Sequence, residues 1–110
     1  MPKTFTDRAR HALNGPTMGT RWSALFHAAA GFDPAPVRGA LQAAVDRVDA
    51  QMSNWKPDSD LMRLNRAAPR AWVELPDGLM AVLQSALAIG RASGGAFDIG
   101  VGDAVAAWGF

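Results

Sequence analysis

Two amphipathic stripes set the terms on which this chain can fold. Val37, Leu41, Ala44, Val45, Val48 and Met52 recur at spacings of three and four, with Arg38, Asp46, Arg47 and Asp49 mostly off that line. This is the period of one helix face, and it predicts a helix over residues 35–52. Asp33-Pro34 supplies the start signal. A second stripe, Leu79, Val82, Leu83, Ala86 and Leu87, opens after Pro76-Asp77, and Gly94-Gly95 stops it. Gly90 lies inside that helix at a cost of roughly 1 kcal/mol against alanine, which close packing on a sheet would explain. Each stripe needs an apolar surface, and one sheet can serve both. The expected fold class is α+β: a small mixed or antiparallel sheet with two long helices packed on one face.

Strand chemistry is shorter and more scattered. Trp22, Ala24 and Phe26 alternate with Arg21, Ser23 and Leu25, the period of two that a half-buried strand requires. Residues 17–28 are therefore expected as a strand, with Met18-Gly19-Thr20 as a bulge or a tight backbone approach at its start. Residues 71–75 and 96–101 read as two further short strands. Residues 1–16 are polar, carry Pro2 and Pro16, and show no sustained pattern. They are expected as a poorly structured lead-in, with at most a turn of helix from Ala9 to Leu13, ahead of one domain over 17–110. Between the first helix and the second strand, Pro57 keeps Lys56 out of helix. Asp58 or Ser59 is expected to cap a short helix reaching Arg66. Asp103 is expected to cap another that runs to Ala107. Trp108 and Phe110, two large aromatics, follow it; the reading is of a piece of something larger, or of an assembly partner.

Composition narrows the function classes. A net charge of +1 from eleven basic and ten acidic residues gives no electrostatic case for nucleic acid or an anionic membrane. With no cysteine there is no disulfide, thiolate nucleophile or Cys-ligated zinc, and His11 and His27 stand apart from each other. No run approaches the ~20 apolar residues of a membrane span. The first residues lack the apolar segment of a signal peptide, which leaves the compartment open. A hydrophobic content of 49% fits a globular domain.

No phosphate-binding loop, dinucleotide fingerprint, zinc-helix motif or nucleophile elbow is present. Asp58 and Asp60 flank Ser59, and turn capping explains them more simply than acid–base work. Trp55 is unusual in a polar loop, either packing that loop onto a core or offering a flat face to a planar ring. Met18, beside a glycine, reads by default as core filler. The run from Ser93 to Gly102 places one carboxylate, Asp98, between Phe97 and Ile99, with glycines on both sides. Burying that acid would be costly without hydrogen bonds. Its two readings are a helix stop entering a strand, and a loop whose bare N–H groups approach a ligand.

Three ordered segments decide between these readings. Met18-Gly19-Thr20, SNWKPDSDLMRLNR over 53–66, and SGGAFDIGVGDAVAAWGF over 93–110 together resemble the FAD:protein FMN transferase family, the ApbE family. The resemblance implies an enzyme that binds FAD, uses a divalent metal, usually Mg2+, and transfers FMN to a threonine or serine hydroxyl of a target protein with release of AMP. The metal would offset charge on the pyrophosphate. The implied partner is a flavoprotein subunit of a redox complex. Some relatives hydrolyse FAD instead, and many are exported or membrane-anchored. By the same resemblance Met18 lines the FAD site, Trp55 lies against a ring of FAD, and Ala96, Phe97 and Asp98 contact FAD through backbone and carboxylate. The metal-holding aspartate and threonine of the family are expected beyond Phe110, so no catalytic or metal residue is assigned within this chain. On this reading the chain is an N-terminal portion and inactive alone. A non-catalytic flavin-binding module serving redox-enzyme maturation is the alternative, and a scaffold that binds nothing is the third possibility.

Overall fold

The structure, a computed structural model, describes residues 8–109. It is α+β, with the element order β1 (Arg8–Thr17), β2 (Thr20–Ala29), α1 (Ala35–Met52), α2 (Asp60–Arg66), α3 (Asp77–Ala92) and α4 (Gly102–Ala107). The chain divides into two compact units, Met1–Arg63 and Leu64–Phe110.

The first unit is built on an antiparallel hairpin. β1 and β2 pair from Arg8↔Ala29 to Thr17↔Thr20, which leaves only Met18 and Gly19 in the turn. Both take positive φ, 46° and 73°, as a two-residue turn matched to the twist of its strands requires. The register puts Ala9, His11, Leu13, Gly15 and Thr17 opposite Ala28, Phe26, Ala24, Trp22 and Thr20. These rungs form the less exposed face along nearly their whole length, and α1 packs against β1. At the open end of the hairpin His11 stacks on Phe26, with ring centroids 5.4 Å apart. Phe32 meets both rings edge-on.

Helix α1 begins and ends where the stripe predicts. The Asp33 carboxylate accepts from the Ala35 N–H at 3.0 Å, which satisfies one of the donors that a helix start leaves free. At the other end the Ser53 N–H reaches the Asp49 carbonyl. In the second unit α3 stops as expected. Gly94 and Gly95 take φ of 62° and 88°, and the Gly95 N–H returns to the Gly90 carbonyl at 2.9 Å. This closure satisfies carbonyls at the helix end and needs residues that tolerate positive φ. Leu79 of α3 is the buried hydrophobic side chain among the described residues.

Four expectations are corrected. Residues 8–16, read as lead-in, are strand; residues 1–7 and Phe110 lie outside the described residues. Residues 71–75 form no strand, and Trp72 is fully exposed. Arg70 precedes them at φ 67° and Pro76 follows, so the alternation has neither a straight entry nor a ladder partner among the described residues. Residues 96–101 are a chain of bends. There the Phe97 N–H goes to Ser93 Oγ and the Gly100 N–H to Asp98 Oδ1. Side chains thus take donors that a ladder would use. Finally, Asp103 lies in the first turn of α4 and does not cap it; the N-cap position is Val101.

Candidate functional site

Each of the sequence-predicted site residues lies in a segment whose local bonding can be traced. Met18 sits at the tip of the hairpin and is about half exposed, so it does not fill a core. A methionine at φ 46° is in the left-handed region, which costs a non-glycine residue roughly 1–2 kcal/mol. Its neighbour Thr17 adds a second local cost: Oγ1 is buried and has no hydrogen-bond partner. Strain and unmet polar atoms of this kind gather where ligands are held.

Trp55 projects from the loop between α1 and α2, and it is 82% exposed. It is not the anchor that would pack this loop down. Two buried serines hold the loop instead. Ser53 Oγ accepts from the Trp55 and Lys56 N–H groups, each at 3.1 Å. Ser59 Oγ donates to the Ser53 carbonyl and accepts from the Met62 N–H, so it caps α2. Asp60 instead pairs with Arg63 at 3.0 Å. Lys56 reaches back to the last turn of α1 and pairs with Asp49. Hydrogen bonding to Asp49, and then the charge of Asp49, raise the Lys56 ammonium above the ordinary lysine value. The result is a loop tied by side-chain–backbone bonds with an indole presented to solvent, suited to stacking on a planar ring.

In the second unit Phe97 and Asp98 line an open hollow of about 240 Å³, together with Leu87, Gly90, Arg91 and Ile99. Apolar faces from Leu87, Phe97 and Ile99 meet one cation and one carboxylate there. Ser93 sets the loop: its Oγ donates to the Gly90 carbonyl and accepts from Phe97. Asp98 turns on itself through the Gly100 N–H at 2.7 Å, which leaves its second oxygen available. The backbone of Phe97 also explains Gly90, since a Cβ there would stand 3.1 Å from the Phe97 carbonyl oxygen. The close approach expected of Gly90 is therefore to this loop. Ala96 bonds back to Ser93 through its N–H and lies outside the residues that line the hollow.

Ser59 caps α2 as expected, but its bond to the Ser53 carbonyl, the role of Ser53 and the Lys56–Asp49 pair were not read from the sequence. The usable signal was two serines bracketing a Pro-containing turn, each able to bond backbone two or three residues on. Among the described residues no group of three or more His, Cys, Asp or Glu is arranged to hold a metal ion. No helix among them is long and apolar enough to cross a membrane.

Comparison with known proteins gives a single picture. A family model described as the ApbE family matches residues 18–110, from the hairpin tip through the last helix. The FAD:protein FMN transferase of Klebsiella pneumoniae (strain 342) is 40% identical over 102 residues, covering 89% of this chain and 28% of the relative. The enzyme of the same name from Salmonella typhimurium is 36% identical over 99% of this chain and 31% of its own length. Among solved structures, the flavin transferase ApbE from Vibrio cholerae superposes with a TM-score of 0.87 at 28% identity, over 94% of this chain and 34% of that one. The apo form of the Pseudomonas stutzeri flavinyl transferase ApbE gives 0.86 at 26% identity. This chain thus spans about a third or less of the length of these proteins.

Proposed function

From the membership of this chain in the ApbE family, we propose that it supplies part of an FAD site in a flavin transferase. In a polypeptide of the relatives' length, that enzyme moves FMN from FAD to a threonine or serine hydroxyl of a target flavoprotein and releases AMP. The observation that carries this reading is the family-model match over residues 18–110 together with similarity to relatives named for that activity. Three local features support it: the strained tip at Met18, the presented indole of Trp55, and the mixed apolar and charged hollow at Phe97 and Asp98.

The division of labour follows from the side chains. Trp55 stacks on a ring of the dinucleotide, with a worth of about 1 kcal/mol beyond burial. Met18, soft and polarizable, lies against an apolar ring surface. Asp98 accepts from hydroxyl or amine groups of the ligand, and Phe97 supplies contact area around it. The reaction forms a bond from the target hydroxyl oxygen to the FMN phosphorus and breaks the bridging P–O bond, so AMP leaves with the bridging oxygen. The hydroxyl proton passes to a base, and no residue of this chain is assigned that role. Mg2+, when bound, supplies positive charge at the pyrophosphate; its ligands are proposed to lie outside the residues described. What these residues contribute is binding and orientation, which alone supply only part of a rate enhancement.

The test is a reaction of FAD, Mg2+ and a target domain, with AMP followed by chromatography and the mass added to the target followed by spectrometry. A protein of the relatives' length is expected to release AMP and add one FMN per target. The 110-residue chain alone is expected to do neither. FAD binding by the longer protein without AMP release would replace this reading with that of a flavin-binding maturation module.

A further inference from the structure

A single carboxamide on α1 touches the hairpin just below its tip. Gln42 Oε1 accepts from the Trp22 Nε1–H at 2.9 Å. Its Nε2 donates to the Pro16 carbonyl and to Asp46 Oδ1, each at 2.9 Å. Every bond uses the correct partner type. A flipped amide would set NH2 against the indole N–H and its oxygen against two acceptors, so chemistry fixes the orientation. Asp46, one turn along the helix, holds the carboxamide from behind.

The two hairpin contacts are on different strands. Pro16 belongs to β1 and Trp22 to β2, and they lie on adjacent rungs, Pro16↔Arg21 and Gly15↔Trp22. Those rungs stand two and three steps from the Met18-Gly19 turn. Gly15 shows how closely the parts meet, since a Cβ there would stand 2.3 Å from Gln42 Oε1 and 2.6 Å from Trp22 Nε1. The strands entering the turn are therefore clasped to the helix while the turn itself carries the strain at Met18.

We propose that Gln42 is a positioning residue. It fixes the hairpin tip and so presents Met18 in the geometry that meets the flavin nucleotide. The inference rests on the reading of Met18 as an FAD contact, and the experiment separates the two. Methionine methyl groups are labelled with 13C, and the Met18 signal is assigned by its loss in Met18→Ala. Spectra are then recorded for Gln42→Leu, which removes all three bonds, and for Gln42→Glu, which keeps an acceptor for the indole and loses the donor to Pro16. FAD is titrated into the wild type, Met18→Ala, Gln42→Leu and the double variant.

Both Gln42 variants are expected to move the Met18 methyl signal, while Gln42→Glu retains the downfield indole N–H signal of Trp22. Gln42→Leu is expected to weaken FAD binding about fivefold, the scale of one lost hydrogen bond, and to add nothing in the Met18→Ala background. An unmoved methyl signal overturns the positioning role. So does an equal loss of affinity with and without the Met18 side chain, which marks a general destabilisation. If Met18→Ala binds FAD as the wild type does, the flavin reading of Met18 fails, and with it the functional half of the proposal. Gln42→Glu keeps the test informative if Gln42→Leu does not fold.

Discussion

Replacing Gly15 by alanine tests the packing beneath the hairpin tip with one methyl group. The backbone at Gly15 is not left-handed, so alanine is sterically admissible along the chain and would by itself gain about 0.5–1 kcal/mol in a strand. The methyl, however, would arrive 2.6 Å and 2.8 Å from the indole atoms Nε1 and Cε2 of Trp22, and 2.3 Å from Gln42 Oε1. The end of the Gln42 side chain can swing aside, but the indole ring cannot do so without tilting its whole plane. Forcing it costs about 1–3 kcal/mol as overpacking, and the broken Trp22–Gln42 bond adds about 1 kcal/mol. Against the intrinsic gain, the net loss is about 1–3 kcal/mol. Urea unfolding followed by far-ultraviolet circular dichroism measures it. The decisive comparison is the same substitution in a Trp22→Val background, where the ring is gone and a β-branched residue keeps the strand. There the sign should reverse, and Gly15→Ala should stabilise by up to about 1 kcal/mol. A neutral Gly15→Ala in the wild type, or the same penalty in both backgrounds, would refute the packing argument.

Ser59→Ala removes a buried hydroxyl that caps α2 through Met62 and bonds the Ser53 carbonyl. It is expected to cost about 1–3 kcal/mol in urea unfolding, with a change in Trp55 emission as the loop loosens. Lys56→Met tests the ion pair with Asp49 through its pH dependence. Because the folded pKa of Lys56 is raised, its contribution is complete below the unfolded lysine value of about 10.4 and is lost as pH rises through the higher folded value. The unfolding-midpoint gap between wild type and Lys56→Met should therefore be constant from neutral pH to about 10 and close at more alkaline pH. A gap that persists through strong alkali would show that the ammonium charge is not its source.

The parts of this fold that were legible in the sequence are those specified locally. Helix α1 was read to the residue because Asp33-Pro34 and a six-member stripe mark it, and the Gly94-Gly95 stop follows from glycine's tolerance of positive φ. Strand β1 was missed although its alternation is present. Ala9, His11, Leu13 and Gly15 form the inward series, but alanine and glycine carry little hydrophobic signal, and polar Arg8, Arg10 and Asn14 lie between them. What defines β1 is its partner strand, and the pointer was two runs of period two separated by two residues. Residues 71–75 and 96–101 show the reverse error. Their apolar alternation is real, but in one case no ladder partner is at hand among the described residues, and in the other Ser93 and Asp98 take the backbone donors. Similarly, Trp55 was marked by its polar context and Ser59 by its place before a helix, where it does cap α2, whereas Met18 stood out only through the family resemblance and Gln42 and Ser53 not at all, because a single polar side chain on a helix or in a turn gives little sign of what it will bond.

The central claim is that this chain holds contacts for a flavin dinucleotide, and titration calorimetry of FAD into the protein and its Trp55→Ala variant tests it most directly. Trp55 is 82% exposed, so its truncation should leave the unfolding midpoint nearly unchanged, and any lost affinity is lost contact. The account predicts saturable binding at one FAD per chain, weakened about five- to tenfold by Trp55→Ala, the worth of one aromatic stack. Absence of saturable binding, or equal affinity in the two proteins, would contradict it.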